Sequence, residues 1–222
     1  MHDDQHGAAI VVLAGLINAC KVVGKNVKTA RIVVAGAGAA GYAVATLLHN
    51  YGATNILVVD REGIIHRRRP NLPAHKKRLA KITNPKNVRG TLQDALTGAD
   101  VLVGVSGPGT VVRDDVRMMQ KDAIVFALAN PTPEIMPEEA KKGGAGVVAT
   151  GRSDFPNQIN NALVFPGIFR GALDCNVRNI TEQIAIRAAK NLAHIVKKPT
   201  ANKIIPDLFD KRVVKAVASA VR

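Results

Sequence analysis

Two stretches of this chain carry residue types and spacings that could do chemistry. The first is Gly36-Ala37-Gly38-Ala39-Ala40-Gly41, a G-x-G-x-x-G that directly follows the apolar run at residues 30–35 and opens a helical segment predicted over residues 42–51. A second apolar run at residues 55–60 ends in Asp60, 19 residues beyond Gly41. Each part has a physical task in holding a dinucleotide. Gly36 permits a tight turn, Gly38 lets the backbone approach a pyrophosphate, and Gly41 lets the helix pack close to the strand. The free N–H groups of residues 36–41 at the helix start then hold the phosphates, and Asp60 accepts hydrogen bonds from the adenosine ribose. The second stretch opens the chain. His2, Asp3, Asp4 and His6 form a dense cluster of ligand-type side chains just before an apolar run.

A third group is made of amides. Asn130 lies in "FALANPTPEIMPEEA", and Asn160 and Asn161 lie in "SDFPNQINNALVFPG", both just beyond apolar runs. Amides donate hydrogen bonds without adding charge, which suits recognition of a carboxylate or carboxamide. The alternative is that Asn130 before Pro131, and Asn157, are turn residues.

These groups need a scaffold. Short apolar runs recur at residues 30–35, 55–60, 100–106, 123–129, 146–150 and 162–165, continuously apolar as strands covered on both faces should be. Helical stretches lie between them: Thr91 and Asp94 read as a cap and its acid, with Gly98 as the stop, and Pro137 opens another helix that Gly143 ends. Strands alternating with helices imply right-handed crossovers and a mostly parallel sheet. The predicted fold is therefore one doubly wound α/β domain of Rossmann type over residues 1–222. Flanking helices are expected over residues 8–23, which should be buried, over the stripe Ile184, Ala188, Leu192 and Ile195, and over residues 210–221, packed on the outside.

Composition limits the alternatives. A 222-residue chain that is 47% hydrophobic can bury one real core. Cys20 and Cys175 stand far apart with no CxxC, which fits reduced thiols in a cytoplasmic protein. The apolar segment at residues 8–20 is too short to span a bilayer and follows acidic residues, so no membrane is expected. The net charge of +14 would suit a nucleic-acid binder. Much of it lies between residues 63 and 93, where no acid occurs among Arg67, Arg68, Arg69, Lys76, Lys77, Arg78, Lys81, Lys86 and Arg89. That stretch is a solvated face or faces phosphate. No aromatics interleave with it, and no nucleic acid is expected as partner. A carboxylate at Asp60 favours NAD over NADP, while Arg61 beside it, with Arg67, Arg68 and Arg69, could compensate the extra phosphate of NADP.

Taken together, "HDDQHG", "GAGAAG", "FALANPTPE", "GRSDFPNQINN" and "FPGIFRGALD" resemble the NAD-binding half of bacterial or archaeal malic enzymes. The resemblance runs to about Asp174 and more loosely through the tail. It implies oxidation of malate with NAD or NADP, decarboxylation to pyruvate and carbon dioxide, and a need for Mg²⁺ or Mn²⁺. It further implies Asp4 as a metal ligand, Asp3 as a supporting carboxylate beside the catalytic lysine, and Asn130 with Asn160 or Asn161 on malate or the nicotinamide. Carboxylate oxygens suit these hard cations. His2 and His6 have helical zinc-pair spacing, but residues before Gly7 are read as non-helical. Family members also carry a preceding domain with a tyrosine acid, a lysine base, a substrate arginine and acidic metal ligands, and they are expected to be homo-oligomers. Here Met1 immediately precedes the motif, so the chain is expected to bind dinucleotide, to need that missing domain as partner, and to be inactive alone. Two rivals are another Rossmann-type dehydrogenase and a non-catalytic basic binding module.

Overall fold

The computed structural model describes residues 2–221, and the side chains of Asp3 and Asp4 lie outside the description. Five parallel strands are β1 (Ile32–Ala35), β2 (Ile56–Asp60), β4 (Val101–Gly104), β5 (Ala123–Ala127) and β6 (Ala145–Thr150). A two-residue strand, β3 (Gly63–Ile64), adds antiparallel to β2, giving the order β3-β2-β1-β4-β5-β6. In register, Val34 of β1 lies beside Val58 on one side and Val103 on the other. The chain leaves β1 for one edge of the sheet and later returns from β1's other side, so the sheet's topological switch lies between β1 and β4, where such folds bind ligands.

Both faces of this sheet are covered, which explains the unbroken apolar runs. Successive residues alternate between two cores: Ile32, Val34, Val58 and Phe126 pack on one face, and Val33, Ala35, Leu57 and Val125 on the other. The first face carries α1 (Ala8–Val22), α2 (Ala39–Tyr51), α3 (Ala74–Ile82) and α8 (Glu182–His194). The second carries three short helices, α4 (Leu92–Leu96), α5 (Arg113–Arg117) and α6 (Pro137–Lys142). The predicted caps form as expected. Thr91 Oγ1 accepts from the Asp94 N–H while Asp94 Oδ2 accepts from the Thr91 N–H at 2.7 Å, and Gly143 ends α6.

Helix α1 is buried on nearly every side, from Ile10 to Leu16. The segment Gln5–Val22 has the length and hydropathy of a membrane span, yet two thirds of it (67%) is inside the fold, so its apolar surface is spent on the core.

Two expectations are corrected. Residues 162–165 are not a strand: Asn161–Leu163 is a 3₁₀ turn leading into α7 (Phe165–Asp174). Pro166 sits in the first turn of α7, where its missing N–H costs nothing. A Cβ on Gly167 would lie 2.6 Å from Val217 of α9 (Arg212–Ala218), so α7 and α9 are glycine-packed helices. The segment before Gly7 is also helical. Asp3–Gly7 is a π-helical turn that runs straight into α1, with His6 Nδ1 3.1 Å from both the backbone N and O of His2. The His6 ring is folded onto its own turn rather than paired with the His2 ring.

Candidate functional site: a two-part cleft at the sheet switch point

The glycine turn follows β1 and faces the loop after β4, and the two loops wall a cleft of about 960 Å³. Its lining includes Gly36, Ala37, Gly38, Asp60, Arg61 and Lys76 on one side and Val105, Ser106 and Thr110 on the other. Each glycine can be assigned a reason. Gly36 has φ +118°, and a Cβ there would meet the Val105 carbonyl oxygen at 2.4 Å. A Cβ on Gly41 would stand 1.9 Å from the Gly36 carbonyl oxygen. Gly38 differs: its backbone is extended (φ −77°, ψ −163°), and no protein atom lies within 4 Å of a Cβ built on it. Nothing in the protein requires glycine there, but a ligand backed onto the first turn of α2 would. The N–H groups of that first turn have no intrahelical acceptor and point, with the helix dipole, at the same space.

Asp60 sits at the end of β2 in the wall of this cleft, with its side chain 8% exposed. Oδ1 accepts from the Glu62 N–H at 2.9 Å and forms an ion pair with Arg69 Nη1 at 2.8 Å; Oδ2 accepts from Arg69 Nη2 at 2.9 Å and from Lys76 Nζ at 2.6 Å. Burial raises the pKa of this carboxyl, but the hydrogen bonds from Arg69, Lys76 and the Glu62 N–H outweigh burial and hold it below the usual carboxylate range. A depressed folded pKa adds stability that is present above the unfolded pKa, near 3.9, and is lost as pH falls through the folded value. Asp60→Asn is therefore expected to lower the urea midpoint at pH 7 and to converge with wild type as pH drops below about 4. A midpoint difference that stays constant with pH contradicts the ion-pair account.

The basic stretch divides by position. Arg69 and Lys76 serve Asp60, Arg67 Nε donates to the Ala80 carbonyl at the end of α3 at 3.3 Å, and Arg61 is exposed in the cleft wall.

A second cleft of about 360 Å³ continues from the first through Val105 and Ser106, which line both. Here the structure brings together Asn130, Asn160 and Asn161 from two loops, beside Ala8, Val11 and Ala40. Asn160 Oδ1 also caps the 3₁₀ turn, accepting from the Ala162 N–H at 2.9 Å. The backbone of the π-helical turn Asp3–Gly7 lies next to that same turn, and Ala8, which follows it, lines the cleft. Asn157 is structural, as one reading of it allowed. Its Nδ2 donates to the Val148 and Ala201 carbonyls at 2.9 and 2.7 Å, and its Oδ1 accepts from the Ile204 N–H.

Among the described residues the second cleft is lined by no titratable side chain, and no three His, Cys, Asp or Glu side chains converge as a metal site. The expected roles of Asp3 and Asp4 rest on side chains outside the description. One residue unforeseen from the sequence is Glu134. It is fully buried at the junction of the two clefts, and only the Pro-Glu pair ending "ANPTPE" marked it.

Comparison with known proteins accounts for this geometry. Residues 5–222 match the family described as "Malic enzyme, NAD binding domain". A bifunctional malic/malolactic enzyme of Bacillus subtilis is 51% identical over 99% of this chain and 54% of its own length. An NADP-dependent malic enzyme of Halomonas elongata is 43% identical over 99% of the chain and 56% of its own length. The crystal structure of a malic enzyme from Pyrococcus horikoshii superposes with a TM-score of 0.95 at 49% identity, covering 99% of this chain and 53% of that one. The chain thus spans about half the length of these relatives, and its likeness extends through the helical tail. A mostly parallel switch-point sheet, a glycine turn that opens α2, and a match over nearly every residue converge on one assignment: the chain belongs to the malic enzyme family, as its NAD-binding domain.

Proposed function

We propose that this chain supplies the dinucleotide-binding half of a malic enzyme, which oxidises malate with NAD or NADP and releases pyruvate and carbon dioxide. The observation that supports this most directly is Gly38, a glycine that the protein's own packing does not require, at the mouth of the larger cleft. In this reading the N–H groups of residues 36–41 take the pyrophosphate and the wall of Asp60 and Arg61 meets the adenosine ribose. Bound dinucleotide supplies a nicotinamide that accepts hydride from the substrate carbon. Val105 and Ser106 line the passage by which the nicotinamide end reaches the amide-lined cleft, where Asn130 and Asn161, with Asn160, orient malate carboxylate or nicotinamide carboxamide through N–H donors. Val11, Val12 and Leu128 make the rest of that cleft apolar, which excludes water from the reacting carbon. Asp4 as a ligand of Mg²⁺ or Mn²⁺ and Asp3 as its neighbour belong to the same proposal, completed by carboxylates from the other half of the enzyme. So do homo-oligomeric assembly and a cytoplasmic setting.

The reading is tested by titrating the purified chain with NADH and following nucleotide fluorescence. The chain has no tryptophan to interfere. Saturable binding with a Kd below about 1 mM is expected. No binding by a protein whose circular dichroism shows it folded rules the reading out.

A further inference from the structure

The segment after β5 holds both clefts in place through one side chain. Glu134 is 0% exposed, and its carboxylate is an acceptor at both oxygens. Oε1 accepts from the Ser106 N–H at 2.8 Å and from Ser106 Oγ at 3.3 Å, while Oε2 accepts from the Ala129 N–H at 3.0 Å. Its backbone is used as well. The Glu134 carbonyl accepts from the Val111 N–H at 3.2 Å, and the Pro133 carbonyl accepts from the Gly109 N–H at 3.3 Å. The loop at residues 106–110 is rich in glycine, with Gly107 and Gly109, and would otherwise be loosely held. Strand β4 makes room for this arrangement. A Cβ on Gly104 would lie 2.5 Å from Glu134 Cδ, and glycine inside a strand marks such a close approach.

What Glu134 ties together matters more than how tightly it does so. Ser106 and Thr110 line the larger cleft, Ala129 and Asn130 line the smaller one, and Ser106 lines both. We infer that Glu134 is the positioning residue that couples the two clefts, aligning the nicotinamide end of the dinucleotide with Asn130. The inference rests on the dinucleotide reading above. Glu134 touches neither ligand; it acts through Ser106 and Ala129. A carboxylate suits the task because both backbone groups facing it are donors. An isosteric amide has one acceptor oxygen and must turn its own N–H₂ toward one of them. A buried N–H deprived of its acceptor carries a desolvation penalty that moving the loop relieves.

The adenosine end has supports of its own, because Gly36 N–H donates to the Val59 carbonyl and Asp60 is paired with Arg69 and Lys76. The test is calorimetric titration of the chain and of Glu134→Gln with NADH and with 5′-AMP, each protein checked by circular dichroism. Glu134→Gln is expected to weaken NADH about tenfold or more while 5′-AMP stays within about threefold. If Glu134→Gln does not fold, Glu134→Asp keeps the acceptors with shorter reach and is expected to show the same split at smaller size. Unchanged affinity for both ligands overturns the inference, as does equal weakening of both, which would make Glu134 a general support of the fold. If wild type binds neither ligand, the dinucleotide reading itself falls. If wild type binds both and the split is absent, only the coupling falls.

Discussion

Replacing Gly38 with valine is expected to leave the protein folded and to remove dinucleotide binding. The backbone at Gly38 is in a region any residue adopts, and a Cβ there meets nothing within 4 Å beyond its own chain neighbours, so the unliganded protein loses only the modest advantage of glycine over valine at an N-cap. The branched side chain instead fills the space in front of the α2 N-terminus, where a pyrophosphate must come within hydrogen-bond distance of backbone N–H groups. Loss of that contact is expected to raise the NADH Kd by about 100-fold or more, ~2.7 kcal/mol, with the thermal midpoint lowered by no more than about 4 °C. Gly41→Ala is the contrasting control. Its Cβ would stand 1.9 Å from the Gly36 carbonyl oxygen, so stability and binding should fall together. A Gly38→Val protein that binds NADH normally contradicts the placement of the pyrophosphate.

The second large effect is on catalysis. These 222 residues by themselves are expected to form NADH or NADPH from malate at less than about 0.01 per second, against the 1–1,000 per second usual for enzymes. Oxidation of the hydroxyl needs a base to take its proton, and protonation at carbon after decarboxylation needs an acid. Among the described residues the amide-lined cleft has neither. Orientation of substrate against base and cation can supply roughly 7–11 kcal/mol of rate enhancement, and in the proposed reading the base comes from the other half of the enzyme. The assay uses purified chain with malate, Mn²⁺ and either dinucleotide, in material shown free of host malic enzyme. Turnover near one per second would mean that the chain carries its own acid and base.

How far these features could be seen in the sequence depends on how local their causes are. The parallel strands were legible because burial on both faces leaves runs such as Ile32–Ala35 apolar throughout, with Val33 in one core and Val34 in the other. Glycine turn, Asp60 and Thr91 cap were legible because their partners are near in sequence or set by fixed spacing. The run at residues 162–165 was misread because four apolar residues fit a strand and a buried turn equally well. What decides it is α9, nearly fifty residues on, packing against Gly167 and Gly171. Strand β3 is two residues long, below any pattern. The π-helical turn at Asp3–Gly7 differs from an α-helix by a single residue in its hydrogen-bond spacing, which composition does not encode. The position of Asp60 at the end of a strand is legible, but its pairing with Arg69 and Lys76 is not, since that depends on how the chain beyond β3 folds back and where α3 docks. Glu134 was hidden for the same reason: Ser106, its main partner, lies 28 residues away on another loop.

In the proposed reading the dinucleotide lies across the switch point, from the glycine turn to Ser106. Proton–nitrogen correlation spectra recorded while NADH is added test this most directly, because each backbone amide reports its own surroundings. The amides of Gly36, Gly38, Ala39 and Ser106 are expected to shift together along one saturation curve, with Asn130 following and the far helix α9 unmoved. Shifts confined to the basic outer face of α3, at Lys77, Arg78 and Lys81, with the glycine turn unmoved, would contradict it.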